Sequence, residues 1–193
     1  HYTLPVWMHD AVGCHIDLST CSPRGWLEGE RIIREIAKYA GFAAREFAAE
    51  VDFWATQNEP FAVVLPGYLR PTELRSNPPA VVLRQVEARQ VFLNMIEAHA
   101  RMVDAIREGD ATDADGDERP AAVGIVYALA PFVPADPELE VDVRAAENLF
   151  YLWNAAFLDA VALGELDDDL DGNAEYRADL AGRMDYIGVM TPM

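Results

Sequence analysis

Lysine is almost absent from this chain of 193 residues, since Lys38 is the only one among 15 basic residues. Acidic residues number 33, which leaves a formal net charge of −18. A surface with this charge repels nucleic acid and anionic membranes. We therefore expect neither nucleic acid nor membrane among its partners.

The scarcity of lysine also indicates the salt concentration at which the protein works. An acidic surface with little lysine is similar to the surfaces of proteins from organisms with molar internal salt. There a Debye length of about 3 Å screens the repulsion between like charges. The alternative is an ordinary acidic protein from a mesophile. The abundance of Ala, Asp and Glu favours the halophilic interpretation.

Long hydrophobic runs and cysteines are also scarce. No apolar run approaches the roughly 18 residues of a membrane span, and no signal-peptide pattern opens the chain. Since the first residue is His1 rather than Met, we expect the chain to begin inside a longer protein. Cys14 and Cys21 are too few for a disulfide-rich secreted protein, so we expect a cytoplasmic chain with reduced cysteines. Together with His9 and His15 the two cysteines could bind zinc, although they lack the spacing of common structural zinc sites. The alternative is that the four residues belong to an ordinary loop.

Apolar segments of two lengths alternate along the chain. Short runs predict strands over 1–7, 52–57, 121–128 and 184–190, and longer amphipathic segments predict helices over 30–51, 79–108 and 137–164. This order indicates a parallel sheet with helical crossovers. The glycine-rich motifs of nucleotide-binding folds are missing. Four βα units are about half of an eight-unit barrel, which typically needs about 250 residues.

One string carries chemistry: Thr56-Gln57-Asn58-Glu59-Pro60 comes directly after the strand predicted over 52–57. A carboxylate there lies at the carboxyl end of a parallel strand, where barrel enzymes place their active sites. The structural alternative is that Asn58 caps a helix whose first turn contains Pro60. Trp54 and Trp153 fall on a predicted strand and helix, and we expect both in the core.

This string is similar to the T-x-N-E-P acid/base motif of glycoside hydrolase family 1. Further motifs of that family are matched in the same order along the chain. They are His1-Tyr2-Thr3-Leu4-Pro5, Gly25-Trp26-Leu27, Gly67-Tyr68, Ala98-His99-Ala100, Val123-Gly124-Ile125 and Asp185-Tyr186-Ile187-Gly188-Val189. The resemblance covers essentially the whole chain, from the third barrel strand to the sixth.

The resemblance implies an α/β fold that is part of a TIM (β/α)8 barrel, with about four βα units and 1–193 as a single partial catalytic domain. It implies a retaining hydrolase of β-glucosides or β-galactosides that needs no cofactor and no metal. Glu59 would be the general acid/base and Asn58 would bind the sugar 2-hydroxyl. His1 and Tyr2 would bind the sugar.

The chain also departs from the family pattern. The nucleophilic glutamate belongs to a seventh strand that this sequence does not contain, and Met190 and Pro192 replace an Asn and a Tyr that support it. The alternative function is therefore an inactive truncated remnant, or a half barrel that binds sugar without catalysis. An open half barrel has unpaired strand edges, so we expect either self-association or a missing remainder of the barrel as partner.

Overall fold

The computed structural model describes residues 4–190. Its helices are α1 (Ala11–Ile16), α2 (Gly29–Phe47), α3 (Phe61–Val64), α4 (Gln85–Gly109), α5 (Glu140–Phe150) and α6 (Ala156–Leu163). Its strands are β1 (Phe53–Asn58), β2 (Ala122–Ala128), β3 (Glu165–Leu166), β4 (Glu175–Tyr176) and β5 (Ile187–Met190). A 3₁₀ turn covers Gly25–Leu27, and π-helical turns cover Leu65–Leu69 and Tyr151–Ala155. No helix in the described range is long and apolar enough to span a membrane.

The main sheet is parallel, with the strand order β1-β2-β5. Helix α4 connects β1 to β2, and α5 and α6 connect β2 to β5. Strands that lie side by side in the order of the sequence are typical of a barrel, whereas a doubly wound sheet reverses its order. The predicted alternation of strands and helices is therefore confirmed for these three strands. A small antiparallel pair, β3 with β4, precedes the last of them and was not predicted.

The helix predicted over 137–164 is interrupted by the π-helical turn at Tyr151–Ala155, and two other predicted elements differ at their starts. The strand predicted over 1–7 begins outside the described residues. Its described part, from Leu4 to Trp7, contains a turn in which the Met8 amide donates to the carbonyl of Pro5 (2.8 Å). Helix α4 begins at Gln85, six residues later than predicted, because the preceding segment forms backbone hydrogen bonds to the π-helical turn at Leu65–Leu69, including Arg84 to Tyr68 (2.8 Å).

The core lies between the sheet and helix α4. Val123, Ile125 and Tyr127 of the central strand β2 are almost fully buried, as expected for a parallel strand covered on both faces. From α4, Phe92 packs edge-to-face against Phe157 of α6, with ring centroids 5.8 Å apart. This packing fixes α4 and α6 against the sheet whose carboxyl ends carry Glu59.

Cys14 and Cys21 form a disulfide, so the expectation of reduced cysteines is wrong. Helix α1 ends at Ile16, and the Asp17 carboxylate then accepts hydrogen bonds from the Ser19 amide (2.9 Å) and the Thr20 hydroxyl (2.9 Å). This turn brings the two Cα atoms within 4.9 Å. The joined sulfurs offer no thiolates, so the zinc alternative at this cluster loses two of its ligands.

Candidate active site

Glu59 follows directly after strand β1 and has an unusual backbone conformation. The register between β1 and β2 shifts between Ala55 and Asn58, and the Glu59 amide donates to the carbonyl of Val126 (2.8 Å). Its φ of +50° is in the left-handed region, which is uncommon for a residue with a side chain. Strained backbone of this kind concentrates at functional sites. Here it turns the carboxylate out at the carboxyl end of the sheet.

Asn58 is the last residue of β1 rather than a helix cap. The short helix α3 begins at Phe61 and is preceded by Pro60, with no side chain capping its start. The structural alternative for this string, a capped helix start at Asn58, is therefore wrong. Asn58 and Glu59 are adjacent residues at the end of one strand, as the sequence predicted.

Two polar residues of β1 anchor the strand to helix α4 beneath the site. Gln57 is buried, and its amide Nε2 donates to the carbonyl of Met95 (2.8 Å). His99 is completely buried: Nε2 lies 2.7 Å from the carbonyl of Arg183, and Nδ1 lies 2.6 Å from the hydroxyl of Thr56. Because a carbonyl can only accept, Nε2 carries the proton and Nδ1 accepts from Thr56. The neutral imidazole thus ties β1 to the segment before β5.

We expect this histidine to make stability depend on pH. Burial lowers the pKa of His99 from 6.5 to about 4. Since the folded pKa is the lower one, the stabilisation is complete above pH 6.5 and is lost as the pH falls toward 4, by roughly 3 kcal/mol. Urea unfolding between pH 7 and 4 should show this fall, and it should be absent in His99→Gln. The exposed His15→Gln variant is the control, and an unchanged pH profile in His99→Gln would contradict the expectation.

A cavity of about 320 Å³ opens beside Glu59. Its walls come from the carboxyl ends of β1, β2 and β5 and from the π-helical turn at Tyr151–Ala155. Among its described lining residues Glu59 is the only carboxylate and Arg75 the only cation. The rest of the lining is aromatic, aliphatic or backbone, with Phe61, Tyr127, Trp153 and Met190 as the large side chains. A largely apolar cavity with a few polar groups is the usual form of a small-molecule site.

Trp153 forms a fixed aromatic wall of this cavity. Its indole N–H donates to the carbonyl of Ala128 (2.7 Å), and its ring packs on Phe61 with centroids 4.7 Å apart. The neighbouring Asn154 donates to the carbonyl of Ala130 (2.8 Å) and accepts from its amide (3.0 Å). The π-helical turn places these two consecutive side chains on the end of β2, an arrangement frequent at functional sites.

Tyr127 lines the cavity, but its hydroxyl is buried in the core and is not open to the cavity. Its side chain is 1% exposed, and its Oη has no hydrogen-bond partner among residues 4–190. Burial raises the pKa of this phenol, so the hydroxyl remains a donor at every ordinary pH. A buried donor without a partner is costly, so this hydroxyl destabilises the core unless it gains a partner.

The chain matches the family model described as glycosyl hydrolase family 1 over residues 2–184. This chain belongs to glycosyl hydrolase family 1. It is 38% identical over 191 residues to a β-galactosidase of Pyrococcus woesei and 36% identical over 191 residues to one of Saccharolobus solfataricus. The β-glycosidase of Thermosphaera aggregans has the same fold over 97% of this chain, with a TM-score of 0.78 and 30% identity. The fold is therefore part of a TIM barrel.

The chain spans only about a third of these relatives. The match covers 98% of this chain but 37% of the Pyrococcus woesei protein and 35% of the Saccharolobus solfataricus protein. Of the Thermosphaera aggregans structure it covers 35%. The three described parallel strands are therefore one sector of the family barrel.

The structure brings together part of the predicted glycosyl hydrolase site. Glu59 lines the cavity and Asn58 precedes it, whereas His1 and Tyr2 lie outside the described residues, so their roles remain predictions. Sequence reasoning missed Tyr127 and Arg75 as lining residues. It also placed Trp153 in the core, although its ring lines the cavity.

Carboxylates gather in two other places. Asp52, Asp113 and Asp115 form one group, and Asp167, Asp169 and Asp171 form the other, each with oxygens within 4.8 Å of one another. Asp52 precedes β1 whereas Glu59 follows it, so the first group lies at the opposite end of the strand. Both groups accept hydrogen bonds from backbone amides of their own loops, for example Asp115 to Asp52 (2.8 Å) and Gly172 to Asp167 (2.7 Å). We assign them no role in the site.

Proposed function

We propose that this chain supplies the acid/base half of a retaining O-glycosidase site acting on terminal β-glucosides or β-galactosides. The observation that carries the proposal is the position of Glu59. This carboxylate follows the first described barrel strand, at the carboxyl end of the sheet, and faces a cavity with aromatic walls. Family membership and the names of the relatives, β-galactosidases and a β-glycosidase, support the substrate class.

The reaction proceeds in two displacements. Glu59 in its acid form donates a proton to the glycosidic oxygen while a second carboxylate, about 5–5.5 Å away, attacks the anomeric carbon. The glycosyl-enzyme forms and the leaving group departs as an alcohol. Glu59, now ionised, removes a proton from water, which releases the sugar with the configuration it began with.

Three residues are proposed to hold the sugar. The Asn58 amide would bind the 2-hydroxyl, a contact that strengthens in the transition state. His1 and Tyr2 would bind the other side of the sugar.

The alternative is a non-catalytic remnant that binds sugar, and one observation favours it. Met190, at the end of β5, lines the cavity at the position where the family pattern has an amide. A thioether cannot donate a hydrogen bond and accepts one only weakly. Because Glu59 is the only carboxylate among the described lining residues, the second one has to come from another part of a completed barrel.

A graft separates the two functions. The whole chain, residues 1–193, replaces the matching part of the Pyrococcus woesei β-galactosidase, so that Met190 and Pro192 are kept, and hydrolysis of nitrophenyl β-glucoside and β-galactoside is followed in multi-molar potassium chloride. We expect turnover by the graft and none by the chain alone. A folded graft without turnover would establish the remnant. Turnover by the chain alone that is lost in Glu59→Gln would mean that an assembly of this chain supplies both carboxylates.

We also propose that the isolated chain associates with itself or with the remainder of a barrel. Within residues 4–190, β1 and β5 each pair with β2 alone, so one edge of each remains open. An apolar groove of about 530 Å³ between α2 and β1 adjoins one edge, and Val189 and Met190 are exposed on β5. Open edges and apolar faces promote association.

Sedimentation of the isolated chain in potassium chloride should therefore show dimers or larger species. Each copy carries a net charge of −18, so two copies repel each other at low salt. Because salt screens this repulsion, we expect association to increase with salt concentration. A well-folded monomer at every salt concentration would contradict both the open-edge argument and the proposed adaptation to high salt.

Adaptation to high salt, a cytoplasmic location and a single partial catalytic domain over 1–193 also remain proposals. The near absence of lysine supports the first. The disulfide weakens the argument for the second, since disulfides are rare in the cytosol of most organisms although not of hyperthermophilic archaea and bacteria. Thiol titration of the protein purified from its own host, under denaturing conditions, tests the redox state in the cell: two free thiols would favour the cytosol.

A further inference from the structure

Arg75 is the one cation among the described residues that line the cavity, and its ion pair with Glu59 is long. Its Nη2 lies 3.3 Å from Oε2 of Glu59, longer than the 2.7–2.9 Å of a strong charge-assisted hydrogen bond. The arginine side chain is 65% exposed and that of Glu59 18% exposed. Within residues 4–190 no other side chain forms a hydrogen bond or ion pair with the guanidinium, so most of its donors are open to solvent or to a ligand.

We propose that Arg75 binds an anionic substituent of the leaving group, so that the site prefers aryl β-glycosides whose aglycone carries a carboxylate. The inference rests on the proposed function and extends it from the sugar to the aglycone. A general acid protonates the oxygen that the leaving group takes with it. The groups on the outer side of Glu59 therefore adjoin the aglycone, and Arg75 is the charged one among them.

The wall beside Arg75 suits a flat ring. Phe61 and Trp153 lie with ring centroids 4.7 Å apart, and Phe132 packs edge-on against Trp153 with centroids 6.1 Å apart, which holds the indole in place. Aromatic groups stack on such surfaces with gains beyond simple burial. A cavity of about 320 Å³ with an aromatic wall and one guanidinium matches a benzoate-like group better than a second neutral sugar.

The loop that carries Arg75 is held in place at both sides. The Arg75 amide donates to the Thr72 hydroxyl (3.0 Å), and the Thr72 amide donates to the Arg75 carbonyl (2.9 Å). Asn77 then donates from its side chain to the carbonyl of Ala62 in α3. These bonds fix the backbone from which the Arg75 side chain reaches the cavity.

The charges around the cavity make binding of an anion depend on Arg75. The chain carries a net charge of −18, and the other charged lining residue is Glu59. Without Arg75 an anionic aglycone would meet only negative potential. The planar fork of arginine binds a carboxylate through two parallel hydrogen bonds, which lysine cannot do.

The test measures binding, because it does not require the second carboxylate. The ligands are 4-carboxyphenyl β-glucoside and its neutral isostere 4-carbamoylphenyl β-glucoside, titrated calorimetrically into the full chain at fixed potassium chloride. We expect the carboxylate to bind about three- to fivefold more tightly, the size that a partly exposed ion pair provides. Arg75→Gln should abolish the preference, whereas Arg70→Gln, which removes the same charge at an exposed position of the same loop, should keep it. Glu59→Gln should increase the preference, because the competing carboxylate is gone.

The outcomes separate this inference from the proposed function. Equal binding of the two glucosides, or an equal loss of both in Arg75→Gln, would overturn the inference and leave the glycosidase proposal intact. A sugar-free pair, 4-hydroxybenzoate and 4-hydroxybenzamide, is titrated in parallel. An Arg75-dependent preference for the benzoate with no binding of either glucoside would overturn the assignment of Arg75 to the aglycone. No binding of any of the four ligands would overturn the inference as a whole. In both cases the graft decides the proposed function independently.

Discussion

Replacing Gly124 by alanine is expected to destabilise the protein by about 3 kcal/mol or more, at the upper end of the cost of overpacking a core. Gly124 lies in the middle of β2, paired with Ala55 of β1. A Cβ placed there would lie 2.2 Å from the backbone carbonyl oxygen of Tyr186 and 2.8 Å from its ring. Because the obstacle is backbone, relief requires β5 to move away from β2. The shift would carry Met190 out of the cavity wall.

Urea unfolding followed by circular dichroism, in concentrated potassium chloride, measures this effect. Gly188→Ala in the neighbouring strand β5 is the matched control. Its nearest contact would be a side-chain methyl, Cγ2 of Val126 at 3.2 Å, rather than backbone at 2.2 Å, and we expect a cost below about 1 kcal/mol. Similar small losses in both variants would contradict the close packing of β2 on Tyr186.

In the barrel completed by the graft, Glu59→Gln is expected to lower kcat/KM for a β-glucoside with an unactivated alkyl leaving group by about 10²- to 10⁴-fold, the usual contribution of a general acid. Glutamine keeps the size of the side chain and its place at the end of β1, but it has no proton to donate as an acid. The loss would therefore report chemistry rather than folding.

Glu73→Gln is the matched control for this variant. Glu73 is exposed in the loop that follows α3, and the substitution removes the same charge. We expect its rate to stay within about twofold of the parent, since surface substitutions of this kind have small effects. Equal losses in both variants would show that net charge, not the position of Glu59, controls the rate.

The sequence allowed prediction of the first two parallel strands, β1 and β2. The run from Ala121 to Ala128 is continuous in apolar and small residues, and such a run becomes a central parallel strand wherever helices cover it. The aromatic run before Glu59 likewise predicted β1 within one residue. Both predictions succeed because the preference of these segments for a strand is a property of their local composition.

The start of α4 and the disulfide could not be predicted in this way. The segment 79–84 has a composition compatible with helix, but its amides bond to the π-helical turn at Leu65–Leu69, a tertiary contact. Cys14 and Cys21 meet because α1 ends and the Asp17 turn reverses the chain. Hydrophobic periodicity predicts neither the late start of α4 nor the disulfide.

The candidate site likewise contains residues that the sequence predicted and residues that it did not. Glu59 and Asn58 carry a motif, and the motif places them at the end of a strand. Arg75 is 16 residues away in a loop without any pattern, and it reaches the cavity only because that loop folds back over α3. Trp153 was predicted to be a core residue because it falls on a predicted helix. A single π-helical turn instead directs its ring to the end of β2.

The leaving-group dependence of Glu59→Gln tests the central claim, that this residue protonates the departing oxygen, most directly. The graft and its variant are compared on ethyl β-glucoside and on 2,4-dinitrophenyl β-glucoside, under conditions where formation of the glycosyl-enzyme limits kcat/KM. A dinitrophenolate leaves without protonation, whereas an ethoxide does not. The account predicts a loss at least about tenfold larger for the ethyl glucoside, within the range that general acid catalysis contributes. Equal losses on the two substrates would contradict it, because a residue that only binds or positions the sugar affects both alike.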